Sequence, residues 1–158
     1  MIKMQSNQKY IDYLKNFGYM QGVERQNRVK QTQEVFTPIK ACLYFVEYSQ
    51  KFSDNMLHKR VADTTCGDGE WLGVVLIKRL EAGIELKTAL LTLLGCDLEK
   101  DNIEVARKRL TCGSSDREIL DIVEKNLVVA DSLRFHYRWD GTDPYKTEEE
   151  LQFDTLFD

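Results

Sequence analysis

The stretch Arg60-Val-Ala-Asp-Thr-Thr-Cys-Gly-Asp-Gly-Glu-Trp-Leu72 constrains the fold more than any other part of the chain. It reads as a short apolar strand, a tight turn carrying Gly67 and Gly69, and the first turn of a helix. A backbone that reverses so sharply needs residues tolerant of positive φ, and glycine also lets a ligand approach the main chain. The unbonded N–H groups of a helix start then face that ligand and favour an anionic group. Asp63 and Asp68 flank the turn and change the preference. Bare phosphate is repelled by them, whereas a zwitterion or a ribose is not.

Beyond the turn, the chain alternates in the manner of an α/β domain. Trp71, Leu72, Val75, Leu76 and Leu80 recur at helical intervals, and Gly83 ends the run. Residues 85–94 begin as a helix and pass into a buried strand that finishes at Asp97. Residues 100–111 form an amphipathic helix, 116–125 a shorter one, and 126–133 a third strand with Asp131 just past its apolar part. Strand, helix, strand, helix, strand implies a parallel sheet with right-handed crossovers. Asp63, Asp97 and Asp131 then stand at its carboxyl edge, where open α/β sheets bind ligands. The polar, turn-rich 134–150 region is an excursion or hairpin, and LQFDTLFD has the apolar content of a fourth strand.

Ahead of the turn, Tyr10, Ile11, Leu14 and Phe17 share a helical spacing with Gly18 as the stop. Residues 22–34 are polar and leave two readings open, an arm that docks on DNA or a partner and a helix packed on its own domain. Thr37 is a good N-cap and Pro38 suits the first helical position, with Phe36 before them as a hydrophobic staple. The helix starting there sends Ile39, Leu43, Val46 and one of Tyr44 or Phe45 toward a core. The organisation expected is an N-terminal helical arm over 1–34 and a ligand-binding domain over 35–158.

Charge and cysteine usage narrow the function classes. The 158 residues carry a net charge of −4, which argues against strong DNA binding by this chain alone. Six basic residues against three acids in 1–34 still allow the arm to touch nucleic acid. Cys42, Cys66, Cys96 and Cys112 form no C-x-x-C pair, so neither a disulfide framework nor a zinc site is signalled. No apolar run approaches the roughly 20 residues of a membrane span, and the N-terminus lacks a secretory h-region. A cytoplasmic, membrane-free protein is expected.

An acid closing the second strand of such a unit accepts hydrogen bonds from ribose hydroxyls, the role open to Asp97, 28 residues after Gly69. Asp131, after the third strand, is placed to accept from an adenine amino group, and Leu98 to pack on the ring. A nucleotide-like ligand that also carries an amine and a carboxylate fits this set, and S-adenosylmethionine is the candidate.

These residues resemble the S-adenosylmethionine-dependent adenine-specific DNA methyltransferases of restriction–modification systems and their phage relatives. The resemblance is carried by Glu34-Val-Phe-Thr-Pro38, Val61-Ala-Asp-Thr-Thr-Cys-Gly-Asp-Gly69 with Trp71-Leu72, Gly95-Cys-Asp-Leu98, Asn102 with Ala106-Arg-Lys-Arg-Leu110, and Ala130-Asp-Ser-Leu133, in the family's order. It spans roughly residues 32–158. It implies a Rossmann-like three-layer sandwich with a mainly parallel sheet, preceded by N-terminal helices. It also implies that Phe36 and Thr37 stand at the methionine carboxylate end. Asp63, Cys66, Gly67 and Gly69 line the methionine and ribose side. Asp97 takes the ribose hydroxyls and Asp131 the adenine amine, with Leu98 and Leu133 flanking the ring.

The family continues its fourth strand into an Asn-Pro-Pro-Tyr-like motif that holds a flipped adenine. Here Phe153-Asp-Thr-Leu-Phe-Asp158 reaches that place, and Pro38 and Pro144 are the two prolines of the sequence. The sheet is therefore expected to be incomplete on its C-terminal side, with an exposed fourth strand inviting a homodimer or partner subunit. Three functions remain: the cofactor-binding part of an adenine methyltransferase, which meets DNA through regions supplied elsewhere; a non-catalytic cofactor-binding or regulatory subunit; and a dehydrogenase nucleotide domain. Against the last stands a turn reading Cys-Gly-Asp-Gly-Glu-Trp in place of G-x-G-x-x-G.

Overall fold

The computed structural model describes residues 2–18, 37–48, 56–139 and 145–148. Phe36, the polar arm at 22–34 and the fourth strand expected at the C-terminal end lie outside the described residues. Helix α1 (Ile2–Asn16) is followed by α2 (Ile39–Tyr48), strand β1 (Val61–Asp63) and helix α3 (Glu70–Glu81). Then come α4 (Leu86–Leu90), β2 (Leu93–Asp97), α5 (Lys100–Leu110), α6 (Arg117–Asn126) and β3 (Leu127–Val129). The three strands make a parallel sheet in the order β1-β2-β3. Val61 pairs with Leu93, and Asp97 with Val129.

Helix α3 is the centre of the core. Leu72, Val74, Val75, Leu76, Ile77 and Leu80 are all buried, because the sheet covers one side of the helix and α1 and α2 pack on the rest. Its stretch from Leu72 to Ile77 is apolar all round, the form that suits such a position. From α1, Ile11 and Leu14 enter the same core as the sheet, and Asn7 donates to the carbonyls of Leu80 and Ile84 at 3.1 and 2.9 Å. The Leu80 carbonyl lies in the last turn of α3, where intrahelical donors run out, and Ile84 follows the helix. Gly83, at φ +82°, completes the stop.

Alternation along β2 turns Gly95 toward α3 and Cys96 to the other face. A Cβ on Gly95 would lie 2.9 Å from both Leu127 Cδ2 and Leu72 Cδ1, so glycine is what allows helix and sheet to approach here. On the second face Cys96 and Ala130 pack with Phe135, and Trp139 closes against them.

Three expectations change in detail. The first helical carbonyl acceptor of α2 is Pro38, bonded by Cys42 at 3.1 Å, so the helix starts one residue later than a Thr37 cap requires. Cys42 and Val46 form its buried stripe, while Tyr44 and Phe45 are 68% and 62% exposed in place of entering the core. The third strand stops at Val129, because Asp131 Oδ1 accepts from the Leu133 amide at 3.0 Å and bends the chain away.

Candidate functional site

The glycine turn is fixed from both sides. The Cys66 amide donates to the Cys96 carbonyl at 2.9 Å, keeping the chain bonded to β2 after β1 has ended. Gly67 and Gly69 then take φ values of +52° and +76°, and the Gly69 amide closes on the Cys66 carbonyl at 2.8 Å. Gly69 has a second reason to be glycine: a Cβ there would lie 2.9 Å from Ala106 Cβ on α5. Gly69 thus lies behind the turn as a packing residue.

Asp97 ties the turn to the sheet. Its Oδ2 accepts from the Gly67 amide at 2.9 Å, and its Oδ1 from the Glu99 amide at 3.0 Å and from Asn102 Nδ2 at 3.1 Å. A carboxylate has about four acceptor directions, so these donors leave roughly one for a ligand. Asn102 is fully buried and orients the carboxylate. Its place one helical turn into α5 is the sequence signal that could have revealed this role.

Thr37, Asp63, Cys66 and Gly67 meet around a cavity of about 490 Å³. Cys42 and Phe45 of α2 and Trp71 of α3 complete its wall, with Phe45 edge-on to Trp71 at 6.0 Å between centroids. Sequence reasoning missed this wall, since it sent one of Tyr44 or Phe45 to the core. The volume is that of ordinary small-molecule sites. Burial, and then the charge of Asp97, push the Asp63 carboxyl above its usual range, against the opposing effect of the Thr65 amide that donates to it at 3.2 Å. Burial also raises the Cys66 thiol, and raises Cys42 to about 11. Both cysteines therefore line the cavity as neutral thiols, neither nucleophiles nor metal-ready thiolates at neutral pH.

Asp68 behaves differently from the sequence expectation. Its carboxylate is 5% exposed and 2.7 Å from Arg109 Nη2, while Arg109 Nε holds the Asp68 carbonyl at 2.9 Å. The same guanidinium reaches Glu70 Oε2 at 2.8 Å and stacks over Phe17 at 4.6 Å. Asp68 repels a bound anion less than an unpaired acid would, since its charge is compensated inside the protein. Its Oδ1 also accepts from the Glu70 amide at 3.3 Å, so the first donor of α3 is capped internally. Two acids at the helix start satisfy its dipole without a ligand phosphate.

Leu98 and Leu133, on the loops after β2 and β3, are 67% and 94% exposed and lie outside the cavity wall. Asp131 is between them in the chain, its amide donating to Tyr145 Oη at 2.8 Å. The structure thus brings the four cavity residues together with Asp97, and leaves Leu98, Asp131 and Leu133 on adjoining loops, joined through the bond from the Ala130 amide to the Asp97 carbonyl. Among the described residues no group of His, Cys, Asp and Glu has the arrangement of a metal site, and no helix is long and apolar enough to cross a membrane.

Fold and site together define a parallel α/β domain with an acidic cavity at its strand ends. Comparison of the chain with protein-family models, curated proteins and solved structures finds no match.

Proposed function

We propose that this chain binds S-adenosylmethionine at the carboxyl ends of its parallel strands, as the cofactor-binding part of an adenine-specific DNA methyltransferase. The observation that carries the reading is the cavity itself. A wall holding Asp63, with Asp97 beside it and the Asp68 charge already compensated, attracts a cation, and the methionine end of this cofactor carries an ammonium and a sulfonium. The glycine turn admits the ligand close to the backbone. Asp97 keeps an acceptor direction for one ribose hydroxyl. Leu98 and Leu133 provide apolar surface for the adenine, and Asp131 an acceptor for its amine.

A dehydrogenase reading is disfavoured by the helix start, where Asp68 and Glu70 occupy the place a pyrophosphate needs. A non-catalytic cofactor-binding or regulatory subunit of a DNA-modification system is the alternative reading of the same cavity. Calorimetric titration tests the ligand, with S-adenosylmethionine expected to bind and NAD not; tighter NAD binding overturns the proposal. Methyl-transfer assays on adenine-containing DNA then separate enzyme from regulatory subunit.

A further inference from the structure

A second cavity, of about 520 Å³, lies at the opposite end of the same strands. Arg60, the residue before β1, and Asn126, the residue before β3, both line it. The cofactor proposal leaves this cavity without a role. Its chemistry is the reverse of the first: Arg60, Lys125 and Arg138 contribute three cations, and among the described residues its wall carries no Asp or Glu. In a chain of net charge −4 that is a marked local inversion. Neither Arg60 nor Lys125 is engaged in an ion pair among the described residues. Arg138 is held in place by donating to the Lys146 carbonyl.

The wall is also aromatic. Trp139 packs edge-on to Phe135 at 5.0 Å and tilts against Tyr137 at 6.0 Å, which fixes its ring. Cations for an anionic group, rings for a planar one and a bounded volume together describe one ligand class.

We propose that this cavity binds a small aromatic phosphate of the nucleoside monophosphate class. Arg60 and Lys125 take the phosphate, and the rings of Tyr137 and Trp139 pack against the base. The inference is independent of the cofactor site. A continuous nucleic acid backbone is the poorer fit, because the three cations line one cavity of about 520 Å³.

The test is calorimetric titration of the full chain with adenosine monophosphate and with inorganic phosphate, repeated in an Arg60→Ala/Lys125→Ala variant. Both side chains are exposed, so the variant keeps its fold, which thermal unfolding verifies. The expected result is that the nucleotide binds more tightly than phosphate and that the double substitution weakens it about ten- to a hundredfold, the usual effect of losing charge-assisted bonds. Asp63→Asn, at the other cavity, leaves nucleotide binding unchanged, so failure of this proposal and failure of the cofactor proposal give different results. Unchanged nucleotide affinity in the double variant overturns the inference. So does absence of nucleotide binding at millimolar concentration, or binding of a single-stranded oligonucleotide in its place.

Discussion

Gly67 and Asp97, thirty residues apart, are joined by a 2.9 Å hydrogen bond from the amide of one to Oδ2 of the other. The bond makes the glycine turn and the end of β2 a single unit. Under the proposed function it also gives Asp97 two duties, holding the turn and accepting from the cofactor, that a substitution removes together. Asp97→Ala leaves the Gly67 and Glu99 amides and the Asn102 side chain without their acceptor. Unfolding in urea is expected to show a loss of about 2 kcal/mol, within the range for unsatisfied, partly buried donors. Cofactor titration is expected to show a further weakening of about 1–3 kcal/mol. Unchanged affinity would show that Asp97 is not the ribose ligand.

Arg109→Met removes the cation that compensates Asp68, whose side chain is 5% exposed. Removing one partner of a buried pair costs about 3–5 kcal/mol, because the remaining charge stays desolvated. Adding Asp68→Asn to the same chain is expected to restore part of that loss. A double-mutant cycle by chemical denaturation measures the coupling. Simple additivity would mean that the two side chains do not act as a pair.

Gly69→Ala and Gly83→Ala separate backbone strain from close packing. Both sites have positive φ, +76° and +82°. An added Cβ meets Ala106 Cβ at 2.9 Å in the first case and nothing within 4 Å in the second. Strain alone costs about 1 kcal/mol or more, so Gly83→Ala gives that loss. Gly69→Ala is expected to lose about 1–3 kcal/mol beyond it from overpacking. Equal midpoints in thermal unfolding contradict the packing.

Asp63 makes stability fall as pH rises. Its folded pKa lies above the unfolded value of about 3.8, because burial disfavours the charge. Between the two values the folded protein binds more protons than the unfolded chain, so unfolding free energy drops as pH increases through that window. Asp63→Asn is expected to flatten that segment of the stability–pH curve and to raise the melting temperature at neutral pH, while weakening a cationic ligand. A curve unaltered by the substitution would place the Asp63 carboxylate in water.

Much of this organisation is legible in local sequence. The spacing of Leu72 to Leu80, the glycines of the turn and the acid closing β2 each follow from one element's own periodicity and chemistry. The features that escaped reading depend on contacts between distant elements. Arg109 lies in the last turn of α5, where a basic residue ordinarily serves the helix dipole, yet it folds inward to Asp68, 41 residues away. Asn7 caps a helix that begins more than sixty residues later. Neither Tyr44 nor Phe45 enters the core as expected; Cys42 is buried in that turn, and Phe45 joins it in the cavity wall. No pattern within α2 distinguishes those two outcomes.

The central claim, that S-adenosylmethionine occupies the cavity at the strand ends, is tested most directly by ¹H–¹⁵N correlation spectra recorded during a titration. The account predicts saturable shifts at the amides of Thr37, Asp63 to Gly69, Leu98 and Asp131 to Leu133, with the Gly67 amide among the most perturbed. Shifts confined to other residues, or none at millimolar cofactor, would contradict it.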